Sequence, residues 1–496
     1  MVLSMTSGHE DLLLLPTTSP LPPLVAVLFL AAVLLWLSPG GPAWALSRCR
    51  RPPPGPPGVV TALSSPVAHR TLAALSRGDG GAALMGFSVG LTRLVVSSQP
   101  GTAREILASP AFGDRPVKDA ARHLLFHRAM GFAPSGDSHW RGLRRLAAQH
   151  LFGPRRVAGA AARHRESIGA AMLSDVAAAT ARHGDVPLKR VLHAASLRHI
   201  MATVFGKHYD DLGSSQEGAL LEEMVTEGYD LLGTFNWADH LPLLKWLDLQ
   251  GVRRRCHRLV QKVEVFVGKI IQEHRERRAS GVVLADEFTG DFVDVLLGLE
   301  GEDKMSDSDM IAVLWEMIFR GTDTVAILIE WVMARMVLHP DIQAKAQAEL
   351  DAIVGPGRVM ADADVARLPY IQCIVKETLR MHPPGPLLSW ARLAIHDATV
   401  GGHLVPAGTT AMVNMWAIAH DPAIWAQPEA FRPERFQEED VSVLGSDLRL
   451  APFGAGRRVC PGKMLALATT HLWIAQLLHR FEWAPVVELI VSRFSA

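Results

Sequence analysis

Cysteine is scarce in this sequence, and neither sign of charge predominates. Four cysteines occur among 496 residues, no two of them lie close together, and none forms a CxxC pair. That spacing argues against a zinc site or a disulfide framework and fits a reducing compartment. Lysine and arginine together number 50, as do aspartate and glutamate, so the chain lacks the basic excess of a general nucleic-acid binder. The cysteines are Cys49, Cys256, Cys373 and Cys460.

Apolar side chains are abundant, at 49% of the chain. They are enough to fill a sizeable core, which excludes wholesale disorder. The length allows one large domain or two to three ordinary ones. Because there is no internal repeat and no second strong linker after the N-terminal region, we expect residues 59–496 to form one large body.

Charged residues are absent from Leu12 to Ser47, and residues 21–38 are almost entirely apolar. Such a run is about as short as a helix that spans a bilayer can be. A cleaved secretory signal is one interpretation, since Ala43-Trp44-Ala45 resembles a signal-peptidase site. The flanking charges favour instead an uncleaved transmembrane anchor, with residues 1–20 lumenal and the body cytosolic. These charges are Glu10 and Asp11 before the run and Arg48, Arg50 and Arg51 after it.

Residues 39–58 are predicted to form a basic, proline-rich hinge. The segment RRPPPGPPG does not continue a helix, because proline fixes φ and removes hydrogen-bond donors. It acts either as a stiff spacer that holds the body at a fixed angle to the membrane or as a solvated linker, and the two are compatible.

Helical periodicity dominates the body, which is predicted to be mainly α with small β-sheets, an α+β fold. The longest helix is expected from Ser306, a capping residue, to His339, because the residue before a proline disfavours helix. Two further helices, three strand regions and a hairpin turn at 404–408 are also expected. The helices are 369–381 and 461–479, and the strand regions are 86–96, 387–395 and 409–413.

Cys460 stands in a loop of unusual composition, FGAGRRVCPG. Because proline is favoured at the first helical position, Pro461 predicts that Cys460 caps the last helix, where the helix dipole lowers a thiol pKa. Phe453 offers a ring to a flat group, and Arg458 offers a cation to an acid on that group. A thiolate in such surroundings suits an axial haem ligand. The alternative is an inert buried cysteine in a glycine-rich turn.

Five residues of this loop match FxxGxRxCxG, the haem-binding signature of cytochrome P450 enzymes: Phe453, Gly456, Arg458, Cys460 and Gly462. The sequence therefore resembles that family. The resemblance implies the cytochrome P450 fold, haem b (iron protoporphyrin IX) as cofactor and Cys460 as the metal ligand. It also implies a monooxygenase that uses O2 and draws electrons from NADPH through a reductase.

A second motif, Glu377 to Arg380, is ExxR and is followed by HPPGP, as in the K helix of the family. The segment PERF resembles another family motif and contains Arg435. By this resemblance Glu377, Arg380 and Arg435 form a buried charge triad with a structural role. The alternative for the ExxR pair is an ordinary solvated ion pair.

The long helix contains RGTDTV, which resembles the oxygen-activation motif AGxDTT. The resemblance assigns Asp323 and Thr324 as catalytic residues that relay protons, which is general-acid chemistry, and Gly321 as the position that leaves room for haem and oxygen. The alternative is that Thr324 bonds back to the carbonyl of Arg320.

Two positions of this helix depart from the family pattern. Val325 replaces the second threonine, and Arg320 replaces a small residue. Both are assigned to the substrate side of the site. Arg320 either pairs with a substrate carboxylate or forms a structural ion pair with an acid elsewhere in the chain.

Further haem contacts are implied by the resemblance. Trp140 and Arg144 match WxxxR of the C helix, and Arg392 matches an arginine that binds a haem propionate. The alternative for Trp140 is a buried aromatic anchor. A basic face near the cysteine is either a solvated surface or the docking site of NADPH–cytochrome P450 reductase. This face consists of Arg141, Arg144, Arg145, Arg155, Arg156, Arg457, Arg458 and Lys463.

Two other classes of protein are alternatives to this assignment. The segment GFSVG, residues 86–90, matches the GxSxG elbow of serine hydrolases, but a strand rather than a helix is expected after it. A haem protein without oxygen activation is a further alternative, and Asp323 and Thr324 argue against it.

Longer segments narrow the resemblance. EMIFRGTDTVAILIEWVMARMVLHPDIQAKAQAELD and NWADHLPLLKWLDLQG resemble the plant microsomal subfamily that includes KLUH and PLASTOCHRON. This resemblance implies the endoplasmic reticulum membrane and a small lipophilic substrate, such as a fatty acid or a related growth-signal precursor. After about residue 485 only VVELIVSRFSA follows, so the usual C-terminal hairpin of the family is expected to be truncated or replaced.

Overall fold

In the computed structural model, the residues described are 21–47, 49, 51–60, 62–78, 82–209, 216–241, 246–280, 290–355, 357–388 and 391–486. The expected C-terminal change falls mostly outside these ranges. The α-helices, numbered in chain order, are Leu21–Leu37 (α1), Pro42–Ala45 (α2), Ala68–Gly78 (α3), Pro100–Ala108 (α4), Asp119–His123 (α5), Ser138–His150 (α6), Pro154–Ala158 (α7), Ala160–His183 (α8), Leu188–Phe205 (α9), Gln216–Gly233 (α10), Val252–Ala279 (α11), Phe292–Leu297 (α12), Asp307–Leu338 (α13), Pro340–Ile353 (α14), Pro369–Met381 (α15), Met415–Ala419 (α16), Arg435–Glu438 (α17) and Lys463–Arg480 (α18).

Two small sheets accompany the helices. In the larger sheet the strand order is β1-β2-β6-β3, with β2 and β6 parallel and the other neighbours antiparallel. The smaller sheet is the antiparallel pair β4-β5. This mainly helical architecture with little sheet confirms the predicted fold class. The strands are Leu84–Val89 (β1), Thr92–Ser97 (β2), Arg392–Leu393 (β3), Ala398–Val400 (β4), His403–Val405 (β5) and Thr410–Val413 (β6).

Two predictions about the sheets need correction. The turn at 404–408 is not a hairpin, because the strands on its two sides, β5 and β6, belong to different sheets. The strand expected over 387–395 shrinks to Arg392–Leu393. Leu388 has a φ of 54°, a left-handed turn conformation that a strand does not contain.

Helix α13 organises the interior. It begins where predicted, since the Ser306 hydroxyl accepts a hydrogen bond from the backbone N–H of Asp309, and it ends before His339. Its length lets it take part in two hydrophobic cores. Val313 packs in a core with α10 and α11, and Val332 packs in a core with α15 and α18. A helix that is apolar on most faces must be buried in this way.

The N-terminal segment is joined to the large sheet. The backbone N–H of Gly86 in β1 donates to Pro54 O at 2.8 Å, so the proline-rich segment lies against the sheet, although Arg51, Pro54 and Pro57 are exposed. Trp44 is only 2% exposed, and its Nε1 donates to the carbonyls of Phe87 and Leu94. The segment that resembles a signal-peptidase site is therefore folded into the body. Within the described ranges, no helix combines the length and apolarity needed to cross a membrane.

Candidate active site

A cavity of about 300 Å³ separates the Cys460 loop from α13. The loop is closed by a hydrogen bond from the Cys460 N–H to Phe453 O at 2.9 Å. Gly456 has a φ of 66°, and a Cβ there would lie 2.1 Å from the carbonyl oxygen of Leu107. Glycine is therefore required at this position by the close approach of α4. At Gly462, an added Cβ would lie 3.2 Å from the ring of Phe152.

The helix after the cysteine begins later than predicted. Its first residue is Lys463 and its cap is Gly462, so Cys460 precedes the cap instead of forming it. Burial raises the pKa of the Cys460 thiol, although the charge of Arg320 and the backbone N–H of Gly462 act in the opposite direction. The protein's own groups thus raise the pKa of the Cys460 thiol, and the expectation that it is lowered was wrong for them. Removal of the thiol from water raises this pKa more than the end of a helix two residues away lowers it.

Arg458 is directed into the protein. Its guanidinium donates to the carbonyls of Gly113 (2.9 Å), Met130 (3.2 Å) and Ala133 (2.6 Å), and it lies 4.6 Å from the ring centre of Trp140. Burial lowers the pKa of Arg458 to about 10. The structure therefore gives this cation backbone partners, where the sequence suggested an acid on the cofactor.

The other predicted propionate contacts also have backbone partners. Arg144 donates from Nη1 to Val459 O at 3.0 Å, and Arg392 donates from Nη2 to Ala455 O at 3.1 Å. Both side chains line the cavity. Trp140 is buried and donates from Nε1 to Met130 O at 2.9 Å, as expected of an aromatic anchor. Their role towards haem stays a prediction.

Arg115 is a lining residue of the cavity that none of the sequence motifs predicts. Its Nε and Nη1 atoms are buried and have no hydrogen-bond partner among the described residues. Burial and the nearby charge of Arg320 lower the pKa of Arg115 well below its ordinary value. A buried cation with open donors beside a cysteine fits a flat group that carries acids and takes a thiolate ligand, as haem does. In the sequence Arg115 stands in the short segment FGDRP, and no motif or spacing there predicts its position beside the cavity.

The predicted oxygen-activation residues lie in the middle of α13. Thr324 is exposed towards the cavity and lines it together with Val325. The helix bond from a threonine hydroxyl to the i−4 carbonyl is made by Thr322, to Ile318 O at 2.8 Å. A Cβ at Gly321 would lie 2.4 Å from Cδ1 of Ile200. A side chain at this position would therefore collide with α9. Gly321 itself lines the cavity, and its expected role towards haem and oxygen stays a prediction.

Each of the two charged residues of this motif has a partner that sequence reasoning missed. Asp323 Oδ1 lies 3.1 Å from Nδ1 of His193 in α9. Arg320 Nη1 lies 3.3 Å from the buried Oε1 of Glu316, which also accepts the N–H of Gly131 at 2.8 Å. Spacing i,i+4 could have indicated Glu316, whereas nothing in the sequence relates His193 to Asp323. The ion-pair interpretation of Arg320 matches this geometry.

The charge triad is brought together behind the cysteine loop. Glu377 is fully buried and lies 2.9 Å from Arg380 and 3.0 Å from Arg435. Its carboxylate also accepts the backbone N–H of Arg432 at 2.9 Å. The ExxR pair is thus not a solvated one.

The remaining sequence features separate into buried and exposed groups. Ser88 of the GxSxG match lies in a hairpin of two strands, where its hydroxyl donates to Gly40 O and accepts the N–H of Ala43. Its role is therefore structural: it joins the N-terminal segment to the sheet.

The residues of the proposed basic face differ in exposure. Lys463 donates to Leu444 O. On the proposed basic face, Arg458 is buried and Arg144 is partly buried, while four arginines are exposed: Arg141, Arg145, Arg155 and Arg457.

A cysteine loop that faces Thr324 of the Asp–Thr motif across a cavity, on a mainly helical body, defines a haem-thiolate enzyme. The chain belongs to the cytochrome P450 family, whose sequence profile matches residues 81–490. It is therefore a monooxygenase and an oxidoreductase.

Individual relatives agree with this assignment. The chain is 56% identical to "Cytochrome P450 78A5" of Arabidopsis thaliana, over 92% of this chain and 88% of that protein. It is also 56% identical to "Cytochrome P450 78A11" of Oryza sativa subsp. japonica, over 91% and 85%. A solved zebrafish cytochrome P450 with progesterone superposes with a TM-score of 0.71 and 28% identity, over 85% of this chain and 93% of that one. The resemblance to the plant subfamily is confirmed.

Proposed function

We propose that this monooxygenase hydroxylates a small lipophilic molecule, such as a fatty acid or a related growth-signal precursor. The observation that carries the proposal is the set of apolar side chains that α9, α13 and the segment after α15 contribute to the cavity wall. A substrate without charge near the reacting carbon loses little by entering such a site. The apolar lining residues are Ile200, Val204, Met317, Val325, Leu328 and Leu387.

Cys460 would ligate the haem iron, with Arg115, Arg144 and Arg392 facing its acidic edge. Haem supplies the centre at which O2 is reduced, so that one oxygen atom enters a C–H bond and the other leaves as water. Thr324 presents a hydroxyl to the cavity, and the carboxylate of the preceding residue, Asp323, lies outside the cavity wall. Together they deliver protons to the oxygen side.

Electrons would come from NADPH through NADPH–cytochrome P450 reductase. Exposed arginines next to the cysteine loop, such as Arg141 and Arg457, form a cationic surface that suits an acidic donor. Arg457 is three residues from Cys460, which would hold the haem iron.

Attachment to the endoplasmic reticulum membrane is supported by apolar surface at one end of the large sheet. Helix α1 exposes apolar side chains, for example Phe29 at 71%. Its C-terminal end meets the body where Gly58 N–H donates to Trp36 O. The turn after β1 carries exposed Leu91, whose N–H donates to His240 O, and the chain beyond His240 exposes Trp246 at 86%. These groups suit a lipid surface.

The first test is the carbon-monoxide difference spectrum of the reduced full-length protein in microsomes, measured beside Cys460→Ser and Cys373→Ser. A strongly red-shifted band that is lost only in Cys460→Ser supports thiolate ligation. A histidine-type band in the unmodified protein would contradict it.

The substrate class is tested with dodecanoic acid and its methyl ester as spectral binding probes. Comparable binding of both supports lipophilic recognition without a carboxylate contact. Because Arg320 already pairs with Glu316, Arg320→Leu is expected to weaken the binding of both probes equally. If Arg320→Leu weakens the binding of the free acid alone, Arg320 contacts the substrate carboxylate. If neither probe binds to the haem-loaded protein, a fatty-acid substrate is contradicted.

A further inference from the structure

Asp323 is held from outside its own helix. Its Oδ1 lies 3.1 Å from Nδ1 of His193, which belongs to α9. The two side chains are 17% and 24% exposed, so the contact is largely shielded from water. Among the described residues the other ring nitrogen of His193, Nε2, is buried without a hydrogen-bond partner. The contact with Asp323 is therefore the polar interaction that orients this ring.

The turn before Asp323 is fixed from a third helix. Tyr229 of α10 donates its hydroxyl to Phe319 O at 2.6 Å, and its ring stacks on Phe319 with 4.0 Å between centres. Phe319 lies one helical turn before Asp323. The backbone around the acid is thus held independently of His193, and loss of the histidine frees the carboxylate without unwinding the turn.

Adjacent positions on α13 face different surroundings. Thr324 lines the cavity, whereas Asp323 is not part of the cavity wall. Successive residues of a helix are about 100° apart around its axis, which turns the Asp323 carboxylate towards α9. Without a fixed partner, an aspartate at such a position rotates among staggered conformers, only some of which bring its oxygens near Thr324.

We infer that His193 is a positioning residue that holds the Asp323 carboxylate in the conformer from which it serves Thr324. The inference rests on the proposed proton delivery by Asp323 and Thr324. Helix α9 would then contribute a residue to proton delivery in addition to those of the motif on α13.

The test compares His193→Leu with His193→Asn. Leucine removes the donor, while the asparagine amide places a nitrogen or oxygen close to the position of Nδ1, where the contact is made. His164→Gln is the matched control, because His164 is a partly buried histidine that contacts His208 and not α13. The measurement is hydrogen peroxide released per NADPH oxidised by the haem-loaded enzyme with its reductase and dodecanoic acid. This ratio is defined whether or not the acid is hydroxylated.

We expect the ratio to rise severalfold in His193→Leu, to return towards the original value in His193→Asn and to stay unchanged in His164→Gln. A ratio unchanged in His193→Leu overturns the inference, as does a rise that asparagine does not reduce. Asp323→Asn distinguishes the proposed proton role of Asp323 from the positioning role of His193. If it leaves the ratio unchanged, the proposed proton role of Asp323 fails; if it raises the ratio while His193→Leu does not, only the role of His193 fails.

A second readout does not depend on turnover. Thermal unfolding, followed by tryptophan fluorescence, is measured for His193→Leu, Asp323→Asn and the double variant. Because the two side chains contact each other, the midpoint shifts should be non-additive, with the double variant little worse than the more affected single variant. Additive shifts would mean that the pair does not interact in solution, which contradicts the inference.

Discussion

The two walls of the cavity are held in different ways. On the cysteine side, cations are held mainly by backbone carbonyls, as Arg458 is by Gly113 and Ala133, while its acidic partner Asp114 lies further away at 3.5 Å. On α13, charged groups are paired with side chains, Asp323 with His193 for example. Backbone carbonyls cannot change partners without unfolding a loop, whereas a side-chain pair can open and close. The cysteine wall is thus built for rigidity, and the α13 wall keeps groups that can exchange protons.

The largest effect is expected behind the cysteine wall. Glu377→Gln removes the charge that balances Arg380 and Arg435, and a broken buried ion pair costs about 3–5 kcal/mol. The free energy of unfolding, from denaturant titration, should fall by that amount, with most of the haem-loaded protein lost. The matched control is Asp440→Asn, whose exposed pair with Lys376 starts on the same helix and should change stability by less than about 1 kcal/mol. Equal effects of the two variants would refute this account of the triad.

A smaller loss is expected from Arg458→Lys, which keeps the charge. A lysine ammonium cannot reach the separated carbonyls that Arg458 joins, and carbonyls left buried without a donor cost about 1–3 kcal/mol each. Allowing for partial compensation, the free energy of unfolding should fall by about 2–3 kcal/mol. Arg457→Lys, at the adjacent exposed position, is the control and should be nearly silent. Equal stability of the two variants would show that backbone contacts do not fix this wall.

His199 lies between the two walls, in α9 and against Trp473 of α18. Burial lowers its pKa to about 3, so below pH 6.5 the unfolded chain binds a proton that the folded protein does not. Stability should therefore decrease as the pH falls from about 6.5, by about 2 kcal/mol at pH 5 for this residue. His199→Leu should remove that part of the slope in unfolding titrations from pH 7 to pH 5. An unchanged slope, as expected for the exposed His183→Leu control, would contradict the assignment.

The smallest effect is expected on α13. Gly321→Ala forces a methyl group against Ile200, which costs about 1–3 kcal/mol, but alanine regains about 1 kcal/mol of helix propensity. The net loss should be about 1 kcal/mol. Ile200→Val removes the closest atom, Cδ1, so the double variant should lose less than the sum of the two single variants. In α11, Gly268→Ala adds a methyl group to open space and should stabilise slightly. If Gly321→Ala behaves like Gly268→Ala, the packing argument is wrong.

Local pattern predicted much of both walls. Ser306 and Pro340 bound α13 as expected, because capping and proline chemistry act within a few residues. The ExxR spacing placed Glu377 and Arg380 on one helix face. The start of α18 was predicted two residues early, since Pro461 is compatible with a first helical position but does not require one.

Long-range partners could not be predicted in the same way. His193 precedes Asp323 by 130 positions, and only the packing of α9 on α13 brings them together. Arg115 acquires its significance from burial beside the cavity, which composition does not encode. The proline-rich segment is packed because Gly86 of β1 offers it a hydrogen-bond donor.

The sequence by itself determined the cysteine loop, the course of α13, the order of the motifs and hence the family, because each depends on neighbours within one or two helical turns. The tertiary structure alone decided which partners neutralise each charged side chain. Burial makes a charge unfavourable, and partners from distant helices decide whether it is stabilised. Arg458 therefore faces carbonyls, Gly321 faces Ile200 and Asp323 faces His193.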